Sequence, residues 1–230
     1  MEHKRYTRAE VAAVIDHAVL KPDMTIADMR KNAEMCIREK VASMCVRPCD
    51  VKLAALLLKD SGVKVSCVLS FPHGADTTMV KTFQAMQAIL DGVDEIDMVM
   101  NIGRFLSGEY KYVLKDIQSV VNVAHADKVA VKVIQESGFL SPEQISEACE
   151  LSYDAGADFV KTSTGFGPGS ATPEIIDIML RTVGKKMKVK PSGGIRDWNT
   201  AVGYLQQGVH RLGVGSTEAV LNGEPNEEKY

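Results

Sequence analysis

Short apolar runs of strand length alternate along this chain with stretches whose apolar residues recur at helical spacing. The pattern predicts strands over 16–20, 42–46, 63–69, 95–100, 129–134, 158–162, 187–190 and 210–214. Between them it predicts helices over 49–59, 77–90, 110–126 and 198–206. A leading helix covers 8–15, further helices begin near 25, 141 and 172, and a short last helix follows Ser216. The starts carry their own grammar. Thr25 with Asp28, Ser141 with Pro142, and Thr172 with Pro173 each place a hydroxyl at the N-cap, then an acid or proline in the first turn.

Eight strand-then-helix units without an intervening low-complexity linker predict one domain over 1–223, an α/β TIM (β/α)8 barrel with an extra N-terminal helix. Residues 224–230 form a polar tail, expected to be flexible. An open doubly wound sheet is the competing fold. Against it, the first strand is not followed by Gly-x-Gly-x-x-Gly, and a nicotinamide cofactor is not expected.

Three of the strand runs close on Val-Lys pairs, and Lys132, Lys161 and Lys190 stand at intervals of 29 residues. In a parallel barrel these lysines end three consecutive strands at the edge that presents catalytic groups. Ammonium groups sharing one poorly solvated cavity disfavour protonation, so one could be a neutral amine able to attack a carbonyl carbon. Three unrelated surface lysines would give the same spacing. Alternation of strand faces puts Phe159 and Ser163 on the side of Lys161, and layering sets Lys132 level with Lys190. Asp97, between Ile96 and Met98, is expected inside the barrel, as a salt-bridged acid or a proton carrier.

Glycine clusters follow the last three strands: Gly165 within 164–169, Ser192-Gly193-Gly194, and Gly213-Val214-Gly215-Ser216. Bare backbone N–H groups after the seventh and eighth strands bind phosphate in many barrels, so a phosphorylated substrate is expected.

Composition narrows the rest. The 230 residues are 45% hydrophobic and 25% charged, with a net charge of −3, which gives no nucleic-acid footprint. Five cysteines without a Cys-x-x-Cys pair read as reduced cytoplasmic thiols, and Cys45 and Cys49 lack a nearby histidine to complete a zinc site, so no metal is expected. No signal peptide and no run of membrane-spanning length is present, and no membrane association is expected.

The segments 160–166 (Val-Lys-Thr-Ser-Thr-Gly-Phe) and 189–195 (Val-Lys-Pro-Ser-Gly-Gly-Ile) resemble the two signature segments of the deoxyribose-phosphate aldolase family. Supporting matches are Ile15-Asp16-His17, Leu20-Lys21-Pro22, Cys45-Val46 with Pro48, 70–74, 95–99 and 131–134. The resemblance implies a class I aldolase that needs no cofactor and cleaves 2-deoxy-D-ribose 5-phosphate reversibly to D-glyceraldehyde 3-phosphate and acetaldehyde. It further implies that Lys161 forms the Schiff base, that Lys190 lowers its pKa, and that Asp97 relays protons with Lys132. Gly165, Ser192, Gly193, Gly194, Gly213, Gly215 and Ser216 would hold phosphate, and Asp16, Cys45, Thr162 and Thr164 would line the pocket. A terminal tyrosine aids proton transfer in the family, which points to Tyr230, and a homodimer is implied. Two positions depart from the family pattern: Arg47 stands where Asn is usual and Ser70 where Gly is usual. The rival functions are a transaldolase-like or keto-acid Schiff-base barrel acting on another phosphosugar, and a non-catalytic phosphosugar-binding barrel.

Overall fold

The structure, a computed structural model, describes residues 5–223; the tail and Tyr230 lie outside the described residues. Eight parallel strands form the barrel: β1 (Ile15–Val19), β2 (Ser43–Val46), β3 (Lys64–Leu69), β4 (Glu95–Val99), β5 (Ala130–Ile134), β6 (Phe159–Lys161), β7 (Lys188–Lys190) and β8 (Leu212–Val214). Neighbours in sequence pair in register, and β1 pairs with β8. The β7/β8 seam is closed by a bridge between Ser192 and Gly213 and by His210 N–H donating to Val189 O at 3.0 Å. The architecture is a TIM barrel.

Helix α1 (Arg8–Ala12) precedes the barrel. Around it run α2 (Ile26–Glu39), α3 (Val51–Leu57), α4 (Thr78–Leu90), α5 (Ile102–Leu106), α6 (Tyr110–Ala126), α7 (Pro142–Asp154), α8 (Pro173–Val183), α9 (Trp198–Gln207) and α10 (Thr217–Asn222). Thr25 and Ser141 close full capping boxes with Asp28 and Gln144, while Thr172 caps α8 by accepting from Ile175 N. Two expectations need correction. The leading helix stops at Ala12 because Ile15 already belongs to β1. The strand over 158–162 is shorter, Phe159–Lys161, with Asp158 and Thr162 as its flanks, each still bonded through its backbone to a neighbouring strand. Helix α5, capped by Asn101, is five residues long, too short to leave a periodic signal.

The apolar core lies between strands and helices, with Val131, Val133, Val160 and Val189 facing outward into it. One cation is buried there as well. Lys81 of α4 reaches Asp116 of α6 at 2.6 Å and donates to Val99 O at 3.1 Å, tying both helices to the end of β4.

Inside the barrel, pair register and face alternation stack the inward residues in three tiers of four. The lowest holds Ser43, Glu95, Phe159 and Arg211. The middle holds Asp16, Ser66, Lys132 and Lys190, and the upper holds Cys45, Asp97, Lys161 and Gly213. Such interiors are usually filled by branched apolar residues. Here every tier carries charge.

Candidate active site

Asp97 is the hub of this buried network. Its Oδ1 accepts from Lys132 Nζ at 2.7 Å and Ser66 Oγ at 3.2 Å; its Oδ2 accepts from Lys161 at 2.8 Å and Lys190 at 2.7 Å. The amines of Lys161 and Lys190 share one oxygen, so their separation cannot exceed the sum of those distances, about 5.5 Å. That is within the range at which like charges shift each other's titration. Lys190 has a second carboxylate, Asp16, at 2.5 Å. Lys132 adds Glu95 at 2.7 Å and Asp16 at 3.6 Å, while Arg211 is paired with both Asp16 and Glu95. Asp16 also accepts from Ser43 Oγ at 2.6 Å.

Within the lumen, Lys132, Lys161, Lys190 and the partly buried Arg211 therefore face three buried carboxylates, and the exposed Lys64 adds a further partner to Glu95 at 2.9 Å from the rim. With every group ionised, the interior would hold one unbalanced positive charge, which is costly in a low-dielectric site. Arginine does not deprotonate. Of the lysines, Lys132 and Lys190 each have further carboxylates, whereas Lys161 has Asp97 alone and shares it. Lys161 is accordingly the lysine whose charge has the least support. Burial, the largest influence, pulls its amine below the ordinary lysine range; Asp97 opposes this, and Lys190 pulls in the same direction as burial. The titration of Lys132 and Lys190 is also lowered by burial, but carboxylates outweigh it and both are held above the ordinary value, Lys132 by Asp97, Asp16 and Glu95, Lys190 by Asp16 and Asp97. Burial pushes the Asp97 carboxyl up, and the three lysines overcome it and hold it well below the usual carboxylate range.

The barrel mouth above these charges has two unlike sides. Over β1 to β3, Ala18, Leu20, Cys45 and Val68 form an apolar wall with Phe71 against it, and burial raises the Cys45 thiol out of the thiolate range. Over β6 to β8 stand hydroxyls and glycines. A Cβ on Gly213 would lie 2.6 Å from Ser192 Cβ, so only glycine lets the loop after β7 close over β8 with Ser192 in its place. Gly193 and Gly194 both take left-handed backbone beside Ser170. Gly215 and Ser216 continue from β8 and line a cleft of about 560 Å³ with His17, Lys21 and Lys31. His17, behind Asp16, bridges Asn32 at 2.7 Å and Thr217 at 2.9 Å.

Two expected pocket hydroxyls are already engaged. Thr162 Oγ1 donates to Ser192 O and accepts from Ser192 N, tying β6 to β7. Thr164 Oγ1 donates to Glu136 and accepts from Phe166 N at 3.0 Å. By contrast, Ser163 Oγ is buried and has no hydrogen-bond partner among the described residues, which leaves a donor for a bound molecule. Arg47 pairs with Asp50 at 2.7 Å and donates to the carbonyls of Lys21, Pro22 and Met24, fixing the loop after β1. Ser70 adopts φ +52°, a conformation glycine takes more readily. Among the described residues, no group of three or more His, Cys, Asp and Glu side chains is arranged to hold a metal ion.

Sequence inspection passed over Glu95, Arg211 and Glu136. The first two were within reach of the alternation rule, since each lies two residues before an inward position, Asp97 and Gly213. Glu136 leaves no such signal, because it lies beyond the end of its strand.

Comparison with known proteins agrees with this geometry. The sequence matches the DeoC/LacD family aldolase over residues 10–211. It is 46% identical over 224 residues to a deoxyribose-phosphate aldolase of Clostridium perfringens, covering 97% of this chain and 99% of that one. Among solved structures, an aldolase designated QR15 superposes with a TM-score of 0.89 at 36% identity, covering 93% of this chain and 95% of the other. The deoxyribose phosphate aldolase of Aeropyrum pernix, described as a tetramer, superposes with a TM-score of 0.88 at 28% identity, covering 94% and 91%. With its lysine-rich barrel interior and a family match that runs from β1 through β7 to the foot of β8, the chain belongs to the DeoC/LacD aldolase family.

Proposed function

We propose that this protein cleaves 2-deoxy-D-ribose 5-phosphate reversibly to D-glyceraldehyde 3-phosphate and acetaldehyde through an imine on Lys161. The observation that carries the reading is the charge imbalance of the barrel interior, with Lys161 the one lysine that shares its sole carboxylate. Its neutral amine adds to the open-chain aldehyde carbon, and the carbinolamine loses water to give an iminium. The hydroxyl on the third carbon gives up its proton, the bond between the second and third carbons breaks into the iminium, and glyceraldehyde 3-phosphate leaves. The remaining enamine takes a proton at its terminal carbon, and water hydrolyses the imine to acetaldehyde and free amine. Asp97, with Lys132 on its other oxygen, lies where these protons must move. The two-sided mouth supports the same substrate: the Ala18–Cys45–Val68 wall suits a methyl-bearing donor, and Gly165, Ser192–Gly194, Gly213, Gly215 and Ser216 suit the phosphate end.

Borohydride reduction in the presence of acetaldehyde tests the reading. A mass gain located at Lys161 is expected; an adduct only with a ketone or keto-acid donor would hand the site to a transaldolase-like or keto-acid barrel, and no adduct with any donor would leave a non-catalytic phosphosugar-binding barrel.

The chain also associates as a homodimer in this reading, in the cytoplasm, where its five free thiols persist. Met79, Phe83, Met86 and Leu90 form an exposed stripe along α4 at 82, 66, 49 and 81% exposure. The helix carries one charge, Lys81, which points inward, so the stripe is an uncharged apolar face of the kind a second copy can cover across a two-fold axis.

A further inference from the structure

Glu136 holds a position that costs the fold on two counts. It is buried at 1% exposure with no ion pair among the described residues, and it takes left-handed backbone at φ +52° although it is not glycine. A group kept under such conditions is fixed by its surroundings. Its carboxylate accepts the backbone N–H of Thr164 at 3.2 and 3.3 Å, and the Thr164 hydroxyl as well. That hydroxyl in turn accepts from Phe166 N–H. The loops after β5 and β6 meet closely at the same place: a Cβ on Gly138 would lie 1.7 Å from Pro168 O, and one on Gly167 would lie 2.7 Å from a Glu136 carboxylate oxygen. The outcome is a loop whose turn at Gly165 (φ +85°) is set from behind, with the Thr164 and Phe166 N–H groups already used.

We infer that Glu136 is a positioning residue that holds the Thr164–Gly169 loop in the shape that presents Gly165 to the substrate phosphate. This rests on the aldolase reading above and adds a residue that never touches the reacting atoms. Lys161 lies earlier on β6 and is held by Asp97 instead, so the latch governs phosphate capture and leaves imine formation alone.

The test compares wild type with Glu136→Gln and Glu136→Gly, the second of which relieves the backbone while removing the latch. KM and kcat are measured on deoxyribose 5-phosphate, and borohydride trapping at Lys161 is measured with acetaldehyde, which has no phosphate. Both variants are expected to raise KM about tenfold, the loss of roughly one charged hydrogen bond, with trapping by acetaldehyde unchanged. In Thr164→Val, the same KM rise is expected, and combining it with Glu136→Gln should add nothing further. Unchanged KM in Glu136→Gly, multiplying effects in the double variant, or trapping that falls in step with KM would each overturn the proposal. A wild-type chain that forms no adduct would overturn the aldolase reading and this proposal with it, whereas adduct formation with unchanged KM overturns the latch alone.

Discussion

Lys161 and Lys190 bond to one and the same oxygen, Oδ2 of Asp97, yet only Lys190 has a second carboxylate, Asp16, on its other side. That asymmetry separates two lysines whose sequence surroundings are nearly identical. Paired twice, Lys190 is held above the ordinary lysine range, whereas burial, with Lys190 acting in the same direction, pulls Lys161 below it.

Lys161→Leu should abolish the borohydride adduct and lower kcat at least about a thousandfold, as loss of a covalent nucleophile does. Its melting temperature should hold or rise, because the substitution removes the unbalanced cation from a buried site. Intact mass and thermal unfolding check the two halves. A variant that loses its fold but keeps the adduct per folded molecule would contradict the charge count.

Lys190→Leu should move the acid limb of the kcat/KM profile to higher pH. Lys161 is held low by burial and by Lys190, with Asp97 opposing; without Lys190, Asp97 acts with less opposition, the amine keeps its proton longer and activity appears later on the pH scale. A pH–rate profile of both enzymes settles the sign. An acid limb that stays put would show that burial alone sets the amine.

Acid should destabilise the protein before its carboxylates titrate. Burial holds His17 down to about 4, below its ordinary 6.5, with Asn32 opposing. A depressed histidine contributes stability that is complete above its unfolded value and is lost as pH falls, because the unfolded chain takes up the proton first. Between pH 7 and pH 5 the loss should be about 2 kcal/mol. Urea unfolding at the two pH values measures it, and His17→Asn should flatten the dependence.

Gly213→Ala should cost about 1–3 kcal/mol, the usual range for overpacking, since its Cβ meets Ser192 Cβ at 2.6 Å. Chemical denaturation measures the loss, and a variant as stable as wild type would show that Ser192 moves aside freely.

Phe83→Glu should shift the particle mass in solution to that of a single chain, with secondary structure unchanged, because a charge at the centre of the α4 stripe opposes its own copy across a two-fold axis. Light scattering after gel filtration reads the mass. A dimer that survives the substitution would place the interface elsewhere.

The sequence by itself determined the barrel. Hydrophobic periodicity and capping residues such as Thr25 and Ser141 are local signals, and eight strand–helix units have few ways to close. The lysine spacing likewise placed Lys132, Lys161 and Lys190 at neighbouring strand ends, because a repeat of constant length returns the chain to the same edge. Register and tertiary contact decided the rest. Which lysine is short of a carboxylate depends on where Asp16, Glu95 and Arg211 cross the lumen, from strands 1, 4 and 8, and electrostatic balance is a sum over all of them. Glu136 was illegible for a related reason: its meaning lies in Thr164, on another strand's loop, and no pattern of letters along one segment records a bond between two.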